Sequence, residues 1–233
     1  MSSGWGARGA VAEIKFCGLT RAQDAAAAAR LGARYAGVIF AGGPRLLTPE
    51  RAAVVLRAVP SGVRRVGVFA AVAPTEIAAI AALAELDVVQ LHGDPDGVAV
   101  DALRREFGGE VWAVARTEGA TLPANVGLLF GVADAVVLDA KVAGALGGTG
   151  VTLPWDALAA PVARARRAGG ARLVLAGGLT PDNVGAAVTA LSPDVVDVSS
   201  GVESSAGVKD HERMRAFAAA ARGTSPAPGA FIR

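Results

Sequence analysis

Residues 172–184 read RLVLAGGLTPDNV and place an apolar run, two glycines and a helix-start signal next to each other. The run RLVLA is apolar without alternation, which is typical of a strand covered on both faces of a parallel sheet. Thr180, Pro181 and Asp182 are residue types that open a helix. The stretch therefore predicts one buried strand followed by one helix, with the glycines in the loop between them.

The same strand-then-helix unit recurs along the chain. The other β-rich runs are VAEIKF (11–16), YAGVIF (35–40), RVGVF (65–69), DVVQL (87–91), EVWAVA (110–115), AVVLD (135–139) and DVVDVS (194–199). Stretches of helical length lie between them, and helix-start signals stand at residues 48–50, 74–76 and Pro154. The fifth helix is expected to be short or distorted, because Pro123 and Gly127 interrupt it.

Eight such units in 233 residues indicate an α/β protein with a single (β/α)8 TIM barrel and a parallel eight-stranded core, an architecture of about 250 residues. A doubly wound open sheet is the alternative, but it needs a glycine-rich turn after the first strand, and GxGxxG is absent there. The barrel is expected over residues 11–222. Residues 1–10 and 223–233 contain Gly, Ser and Pro and are expected to be flexible tails.

Composition excludes several classes of partner. The chain is 52% hydrophobic and 19% charged with a formal net charge of +2, which predicts a globular protein without an electrostatic footprint for nucleic acid. One cysteine excludes an internal disulfide, and no Cys/His cluster has the spacing of a zinc site. The sequence shows neither a signal peptide nor an apolar run of about 18 residues, so we expect a cytoplasmic protein with no membrane partner.

In a TIM barrel the active site lies at the C-terminal ends of the strands. Residues with useful chemistry follow most of the predicted strands, and they are expected to converge on that rim. They are Cys17 after the first strand, Arg45 after the second, His92 after the fourth, Asp139 at the end of the sixth, Gly177 and Gly178 after the seventh, and Ser199, Ser200 and Gly201 after the eighth.

The loops after strands seven and eight predict a phosphate site. Gly177 and Gly178 allow an anion to approach backbone N–H groups, and Ser199 and Ser200 add hydroxyl donors. Gly201 is a candidate to begin a small helix whose dipole favours an anion. Either motif alone also fits an ordinary turn, but both at adjacent strand ends favour a phosphate.

Cys17 and Asp139 are the candidates for proton transfer. A buried cysteine is often only a small hydrophobe, but a helix start after Gly18 would lower the thiol pKa and favour the thiolate, which accepts a proton. A desolvated carboxyl at a strand end has a raised pKa, so Asp139 would act as an acid. The alternative for Asp139 is a structural carboxylate bound to Lys141 or to loop amides.

Arg45 and His92 each allow a functional interpretation and a structural or merely solvated one, and the sequence leaves both open. Arg45 is a guanidinium on a flexible loop and suits bidentate pairing with a carboxylate, although surface arginines are mostly only solvated. His92 is equally well interpreted as a ligand contact or general base and as a structural hydrogen-bonding residue of the rim.

Several motifs together resemble the phosphoribosylanthranilate isomerase family of tryptophan biosynthesis. They run in order over residues 12–221: KFCGLT (15–20), GPR (43–45), RVGVF (65–69), VVQLHGD (88–94), LLFGVADAVVLDAKVAGALGGTG (128–150), LAGGLTPDNV (175–184) and VDVSSGVESSAGVKD (196–210). The resemblance implies a TIM barrel and an Amadori rearrangement of N-(5'-phosphoribosyl)anthranilate to 1-(2-carboxyphenylamino)-1-deoxyribulose 5-phosphate. It implies no cofactor and no metal.

The resemblance also implies roles for single residues. Asp139 matches the general acid that protonates the furanose ring oxygen, Cys17 matches the general base that removes the C2' proton, and Arg45 matches the arginine that holds the anthranilate moiety. The remaining substrate-binding candidates lie in or beside the phosphate motifs and on the rim; they are His92, Gly177, Gly178, Asp197, Ser199, Ser200 and Gly201.

Two departures and two alternatives accompany the resemblance. The arginine motif is GPR where the family usually has SPR, and Ala71 stands where asparagine is common. One alternative is a dual-specificity isomerase that also serves histidine biosynthesis; it is expected to grip two phosphates and to carry an acidic base after the first strand. The other is a noncatalytic barrel that binds a phosphorylated ligand. A small phosphorylated molecule is the expected partner, and the chain is expected to be a monomer or a homodimer.

Overall fold

Eight parallel strands pair side by side in chain order and close into a barrel. The computed structural model describes residues 11–140 and 152–223. The strands are β1 (Glu13–Phe16), β2 (Tyr35–Ile39), β3 (Arg64–Phe69), β4 (Val88–Leu91), β5 (Glu110–Thr117), β6 (Ala135–Ala140), β7 (Arg172–Leu175) and β8 (Val195–Val198). β8 pairs with β1 along the whole of both strands. The predicted TIM barrel is therefore confirmed, because an open sheet would leave two unpaired edges.

Eight helices alternate with these strands in the described part of the chain. They are α1 (Ala22–Arg30), α2 (Pro49–Leu56), α3 (Pro74–Leu83), α4 (Gly97–Arg104), α5 (Val126–Val132), α6 (Trp155–Arg166), α7 (Val184–Leu191) and α8 (His211–Ala221). The start signal at 48–50 acts as predicted, since Thr48 Oγ1 accepts a hydrogen bond from the Arg51 N–H at 3.3 Å. α5 has seven residues and is short, as predicted. Within the described residues, no helix combines the length and apolar character needed to span a membrane.

The helix start predicted at residues 180–182 is wrong by a few residues. α7 begins only at Val184. Asn183 Oδ1 accepts the Thr180 N–H at 2.8 Å, and its amide nitrogen donates to the Gly178 carbonyl at 2.9 Å. These local hydrogen bonds hold residues 180–183 as a turn, since a short polar side chain that bonds nearby backbone competes with helix formation.

Side chains plug the end of the barrel that lies opposite the predicted active site. Tyr35 and Trp112 pack edge to face with ring centroids 4.8 Å apart, and the Arg172 guanidinium lies 5.6 and 5.8 Å from the two ring centroids. Above them the interior is filled by small aliphatic residues from several strands, such as Val66, Val114 and Val174. The interior is therefore packed at this end, and the chemistry-bearing groups lie at the other.

An insertion follows β8 before the last helix. A 3₁₀ helix covers Ser200–Val202, and an antiparallel hairpin of β9 (Glu203–Ser205) and β10 (Val208–Lys209) comes next. The predicted small helix thus begins one residue before Gly201. The barrel elements run from Glu13 to Ala221. The predicted tails, apart from Gly223, lie outside the described residues.

Candidate active site

A cavity of about 410 Å³ opens at the C-terminal end of the barrel. The structure brings all ten residues that the sequence singles out to the wall of this one cavity. They are Cys17, Arg45, His92, Asp139, Gly177, Gly178, Asp197, Ser199, Ser200 and Gly201. Half of them lie in a strand or directly after one, so the closed sheet fixes their relative positions, and the loops supply the other half.

Cys17 lies directly after β1, and its buried side chain is on the same side of the chain as that of Lys15. The two residues are two positions apart, so the strand periodicity directs both side chains into the barrel. Gly37 on β2 makes room for them. A Cβ atom at Gly37 would lie 3.1 Å from Cys17 Sγ and 3.3 Å from Lys15 Cε. A larger residue at this position would therefore press against both side chains.

Lys15 is fully buried and anchors a polar network beneath the cavity. Its Nζ donates to Asp197 Oδ2 at 2.6 Å and to Gln90 Oε1 at 3.0 Å. Burial opposes the charge of the Lys15 ammonium, but Asp197 and Cys17 outweigh that effect and raise its pKa. Lys15 therefore stays a cation, and Asp197 serves as its counterion in addition to lining the cavity.

The predicted lowering of the Cys17 pKa is wrong. α1 begins only at Ala22, and the Cys17 N–H donates to the Val198 carbonyl at 2.9 Å as part of the strand pairing. The helix start that was expected directly after Gly18 therefore lies further along the chain. Burial raises the pKa of Cys17, and the nearby Lys15 offsets only part of this effect. The thiol form prevails at neutral pH, and Lys15 stabilises the thiolate when it forms.

Asp139 at the end of β6 matches the expectation of a raised pKa. Its carboxyl is buried, and this desolvation raises the pKa to about 6, although the Ala140 N–H that donates to Oδ1 at 2.9 Å pulls in the opposite direction. Asp197 raises the pKa further, while Lys15 lowers it. The other partner considered for this carboxyl, Lys141, lies outside the described residues.

His92 faces the acid across a short gap. Its Nε2 lies 3.9 Å from Asp139 Oδ2, and its backbone N–H donates to the Phe69 carbonyl at 2.7 Å. The imidazole is buried and belongs to the wall of the cavity. This placement suits both interpretations of His92, a ligand contact and a structural residue of the rim.

The loops after β7 and β8 touch each other where the phosphate is expected. Gly177 and Gly178 have φ values of +82° and +63°, a left-handed conformation that favours glycine. A Cβ atom at Gly201 would lie only 1.9 Å from the Leu179 carbonyl oxygen. Ser199 Oγ is buried and has no hydrogen-bond partner among the described residues. A buried hydroxyl without a partner is unusual, which makes Ser199 a candidate to bond a ligand oxygen.

Arg45 is not the mobile surface cation that its loop suggests. Its Nε and Nη2 donate to the two carboxylate oxygens of Glu203 at 2.8 and 2.7 Å. Lys209 Nζ donates to the same carboxylate at 2.7 Å. Sequence reasoning missed Glu203 and Lys209, as it missed Lys15 and Gln90. All four lie inside motifs of the family resemblance. Charged residues within those motifs were the signal from which three of them, Lys15, Glu203 and Lys209, could have been found.

Metal chemistry has no obvious site in residues 11–140 and 152–223. No group of three His, Cys, Asp or Glu side chains in these ranges is arranged to hold a metal ion. The wall of the cavity holds a buried carboxyl and a thiol, two groups that can exchange protons with a bound ligand.

Comparison with known proteins identifies the family of this chain. The sequence model of the family described as N-(5'phosphoribosyl)anthranilate (PRA) isomerase matches residues 14–220. The chain belongs to this family. A member from Pseudomonas aeruginosa strain UCBPP-PA14, named N-(5'-phosphoribosyl)anthranilate isomerase, is 40% identical over 210 residues, which cover 90% of this chain and 94% of the relative.

Solved structures of the isomerase family share the fold. The phosphoribosylanthranilate isomerase from Thermus thermophilus is 35% identical and superposes with a TM-score of 0.76 over 89% of this chain and 97% of its own. A structure in complex with reduced 1-(o-carboxyphenylamino)-1-deoxyribulose 5-phosphate is 28% identical, with a TM-score of 0.75 over 91% and 99%. Monomers of the dimeric Thermotoga maritima isomerase are 30% identical, with a TM-score of 0.74 over 91% and 99%.

Replacement of Gly201 by alanine tests the contact between the two phosphate-site loops. Because the added methyl group would meet the Leu179 carbonyl, the loops must move apart, at a cost of about 1–3 kcal/mol. We expect Gly201→Ala to raise the inhibition constant of inorganic phosphate, as a competitive inhibitor of the isomerase reaction, about tenfold. Gly170→Ala is the matched control, since a Cβ atom there meets nothing within 4 Å. Equal phosphate inhibition in both variants would contradict a phosphate site at this contact.

The raised pKa of Asp139 predicts a pH-dependent cost in stability. A folded-state pKa of about 6 in place of about 4 means that the folded protein holds this proton more tightly than the unfolded chain does. Stability is therefore lost as pH rises between these values, by about 3 kcal/mol in full. Asp139→Asn removes that loss. Urea unfolding is expected to show the variant more stable than wild type at pH 8, by up to about 3 kcal/mol, and nearly equal to it at pH 4. Asp182→Asn, the same substitution at an exposed position, is the control.

Proposed function

We propose that the cavity isomerises N-(5'-phosphoribosyl)anthranilate with Asp139 as the general acid and Cys17 as the general base. Membership of the family assigns the isomerase activity and its place in tryptophan biosynthesis; the roles of the residues are the proposal. The observation that carries it is the pairing, in one cavity wall, of a buried carboxyl whose pKa is about 6 with a thiol that has a buried lysine beside it.

Each anionic group of the substrate has a matching group in the wall of the cavity. The loops that contain Gly177, Gly178 and Ser199 would bind the 5'-phosphate through backbone N–H groups and a hydroxyl. Arg45 would bind the carboxylate of the anthranilate moiety, because a guanidinium pairs well with a planar carboxylate. The ribose then lies between these sites, over the ends of the strands that carry the acid and the base.

Asp139 would perform the first step. Its carboxyl donates a proton to the furanose ring oxygen, the bond between C1' and that oxygen breaks, and the nitrogen lone pair forms a double bond to C1'. The ring opens to a protonated Schiff base. A buried carboxyl with a raised pKa suits this step, because it retains a proton nearer to neutral pH than an exposed aspartic acid does.

Cys17 would perform the second step. Its thiolate removes the C2' proton, the C2'–H electrons form a double bond to C1', and the nitrogen regains its lone pair. The resulting enolamine becomes the ketone by gaining a proton at C1' and losing the one on the 2'-oxygen. The Lys15 ammonium beside Sγ would favour the thiolate over the thiol at the moment when the base is needed.

No observation on this chain favours the alternatives. A dual-specificity isomerase is expected to carry an acidic base after the first strand, where this chain has Cys17, and a noncatalytic barrel has no need for a paired acid and base. A small phosphorylated molecule is the proposed partner. One family member is described as dimeric, and for this chain monomer and homodimer both stay predictions, as does a cytoplasmic location.

Substitution of the two proposed catalytic groups tests the assignment. Cys17→Ser and Asp139→Asn should each lower kcat by at least about 100-fold, the usual contribution of an acid or base group, in an assay that follows the loss of anthranilate-type fluorescence. Exposed positions Ser205→Ala and Asp182→Asn are controls for handling and folding. Near wild-type kcat in Cys17→Ser or Asp139→Asn would refute that residue's role. Growth of a tryptophan auxotroph that lacks this isomerase, on the wild-type gene but on neither variant, tests the assignment in cells.

The pH dependence of kcat/KM is a second test of the assignment. The productive form has Asp139 protonated and Cys17 ionised, yet the pKa of the acid is about 6 and that of the base lies above the ordinary thiol value of about 8.5. Between these values, each rise in pH removes as much protonated Asp139 as it adds thiolate. We therefore expect kcat/KM to be constant from about pH 6 to the pKa of Cys17 and to fall on either side.

Alkylation of Cys17 by iodoacetamide measures the thiol pKa independently. The midpoint of the alkylation rate against pH should coincide with the upper limb of the kcat/KM profile, because the same ionisation controls both. A profile that peaks sharply between the two pKa values, or an upper limb unrelated to the alkylation midpoint, would contradict the proposed pair.

A further inference from the structure

Glu203 occupies one defined edge of the Arg45 guanidinium. Arg45 Nε donates to Oε1 at 2.8 Å and Nη2 donates to Oε2 at 2.7 Å. A guanidinium offers a carboxylate either this side edge or the end edge between its two Nη atoms. Because Glu203 takes the side edge, the end edge is the one left for the carboxylate of a ligand in the cavity that Arg45 lines.

A buried lysine completes the charge arrangement around Glu203. Lys209 Nζ donates to Glu203 Oε1 at 2.7 Å and to the Ser199 carbonyl at 3.0 Å, and the Lys209 side chain has no solvent exposure. Burial disfavours the Glu203 carboxylate, but hydrogen bonds from Arg45 and Lys209 overcome this and hold its pKa below the usual range. Arg45, Lys209 and Glu203 together carry one net positive charge. The cluster can therefore attract one further anionic group.

The hairpin that carries Glu203 and Lys209 is itself held from both sides. The two residues face each other across the β9–β10 pairing. Arg213 from α8 donates to the Glu203 carbonyl at 2.7 Å, and Arg21 donates to the Lys209 carbonyl at 3.2 Å. The hairpin therefore presents Glu203 to Arg45 from a fixed backbone.

We propose that Glu203 is a positioning residue of the reaction, which fixes Arg45 so that its end edge receives the carboxylate of the substrate. Lys209 bonds both Glu203 and the phosphate-site loop at Ser199. The hairpin therefore sets the position of Arg45 relative to that loop. The inference rests on the proposed function, since it requires that Arg45 bind the substrate carboxylate. An arginine that is already immobilised loses less conformational freedom when the ligand binds.

The test variant must release Arg45 without changing the charge of the site. Glu203→Gln alone would leave two buried cations side by side, whereas Glu203→Gln combined with Lys209→Met keeps one net positive charge. Glu203→Asp is the second variant, because it preserves every charge and withdraws the carboxylate from Arg45 by one methylene group. Glu212→Gln, an exposed glutamate at the start of α8, is the matched control.

Two inhibitors separate positioning from a general structural effect. One is reduced 1-(o-carboxyphenylamino)-1-deoxyribulose 5-phosphate, and the other is the same compound without its carboxyl group. We expect Glu203→Asp to bind the first inhibitor at least about tenfold more weakly and the second within about twofold of wild type. The double variant also loses the Lys209 bond to the Ser199 carbonyl, so it is judged by the difference between the two inhibitors, and its loss for the first should exceed its loss for the second by at least about tenfold. The KM for substrate should rise by a similar factor, with a smaller change in kcat, because the lost interaction is made in the bound substrate as well as in the transition state.

Arg45→Met supplies the reference for the comparison. If Glu203 acts through Arg45, adding Arg45→Met to the double variant should cause no further loss of affinity for the carboxylated inhibitor beyond that of Arg45→Met alone. Equal losses for both inhibitors, or additive losses, would overturn the inference and show a structural role for Glu203. Circular dichroism and thermal unfolding check that each variant is folded.

The outcomes also distinguish this inference from the proposed function. If Arg45→Met weakens the carboxylated inhibitor while both Glu203 variants bind it as wild type does, only the positioning role is refuted. If Arg45→Met itself leaves that affinity unchanged, the carboxylate does not bind Arg45, and the proposed substrate orientation and the positioning role are refuted together.

Discussion

The ion pair between Lys15 and Asp197 lies at the seam where the barrel closes. The two residues are partners in the β1–β8 pairing, and their charged atoms are 2.6 Å apart with the lysine fully buried. Removal of one partner from such a pair leaves an uncompensated buried charge, which costs about 3–5 kcal/mol. Cys17 lies two positions after Lys15, and Ser199 lies two positions after Asp197. The β1–β8 pairing therefore sets the distance between the proposed base and the phosphate-site loop.

Burial gives the two proposed catalytic groups their properties and also limits them. Desolvation leaves a larger fraction of Asp139 protonated near neutral pH and makes Cys17 a poorer source of thiolate. Lys15 offsets part of the second effect from beneath the cavity. The proposed proton transfer would therefore have a cost in stability, which is common where activity requires charges in a poorly solvated place.

Much of the architecture is predictable from local patterns. Continuous apolar runs such as RLVLA identify strands that are covered on both faces, and Thr48 with Pro49 marks a helix start through a hydrogen bond within one turn. The start of α7 was missed because Asn183 forms local hydrogen bonds that the composition of 180–182 does not indicate. The thiol pKa was missed for a related reason. Cys17 lies in strand pairing, several residues before α1 begins, and burial decides its ionisation.

Local sequence patterns are enough to predict the strand-and-helix order and, through it, which residues lie on the rim of the barrel, because chain order places the strand ends of a parallel barrel on one side. The pairing of those residues depends on the tertiary structure. Lys15 meets a residue 182 positions away, and Arg45 meets one 158 positions away. Such contacts depend on the closure of the sheet and on the fold of the β9–β10 hairpin. No local pattern encodes them, since charge pairing over that separation is set by where the backbone brings the side chains.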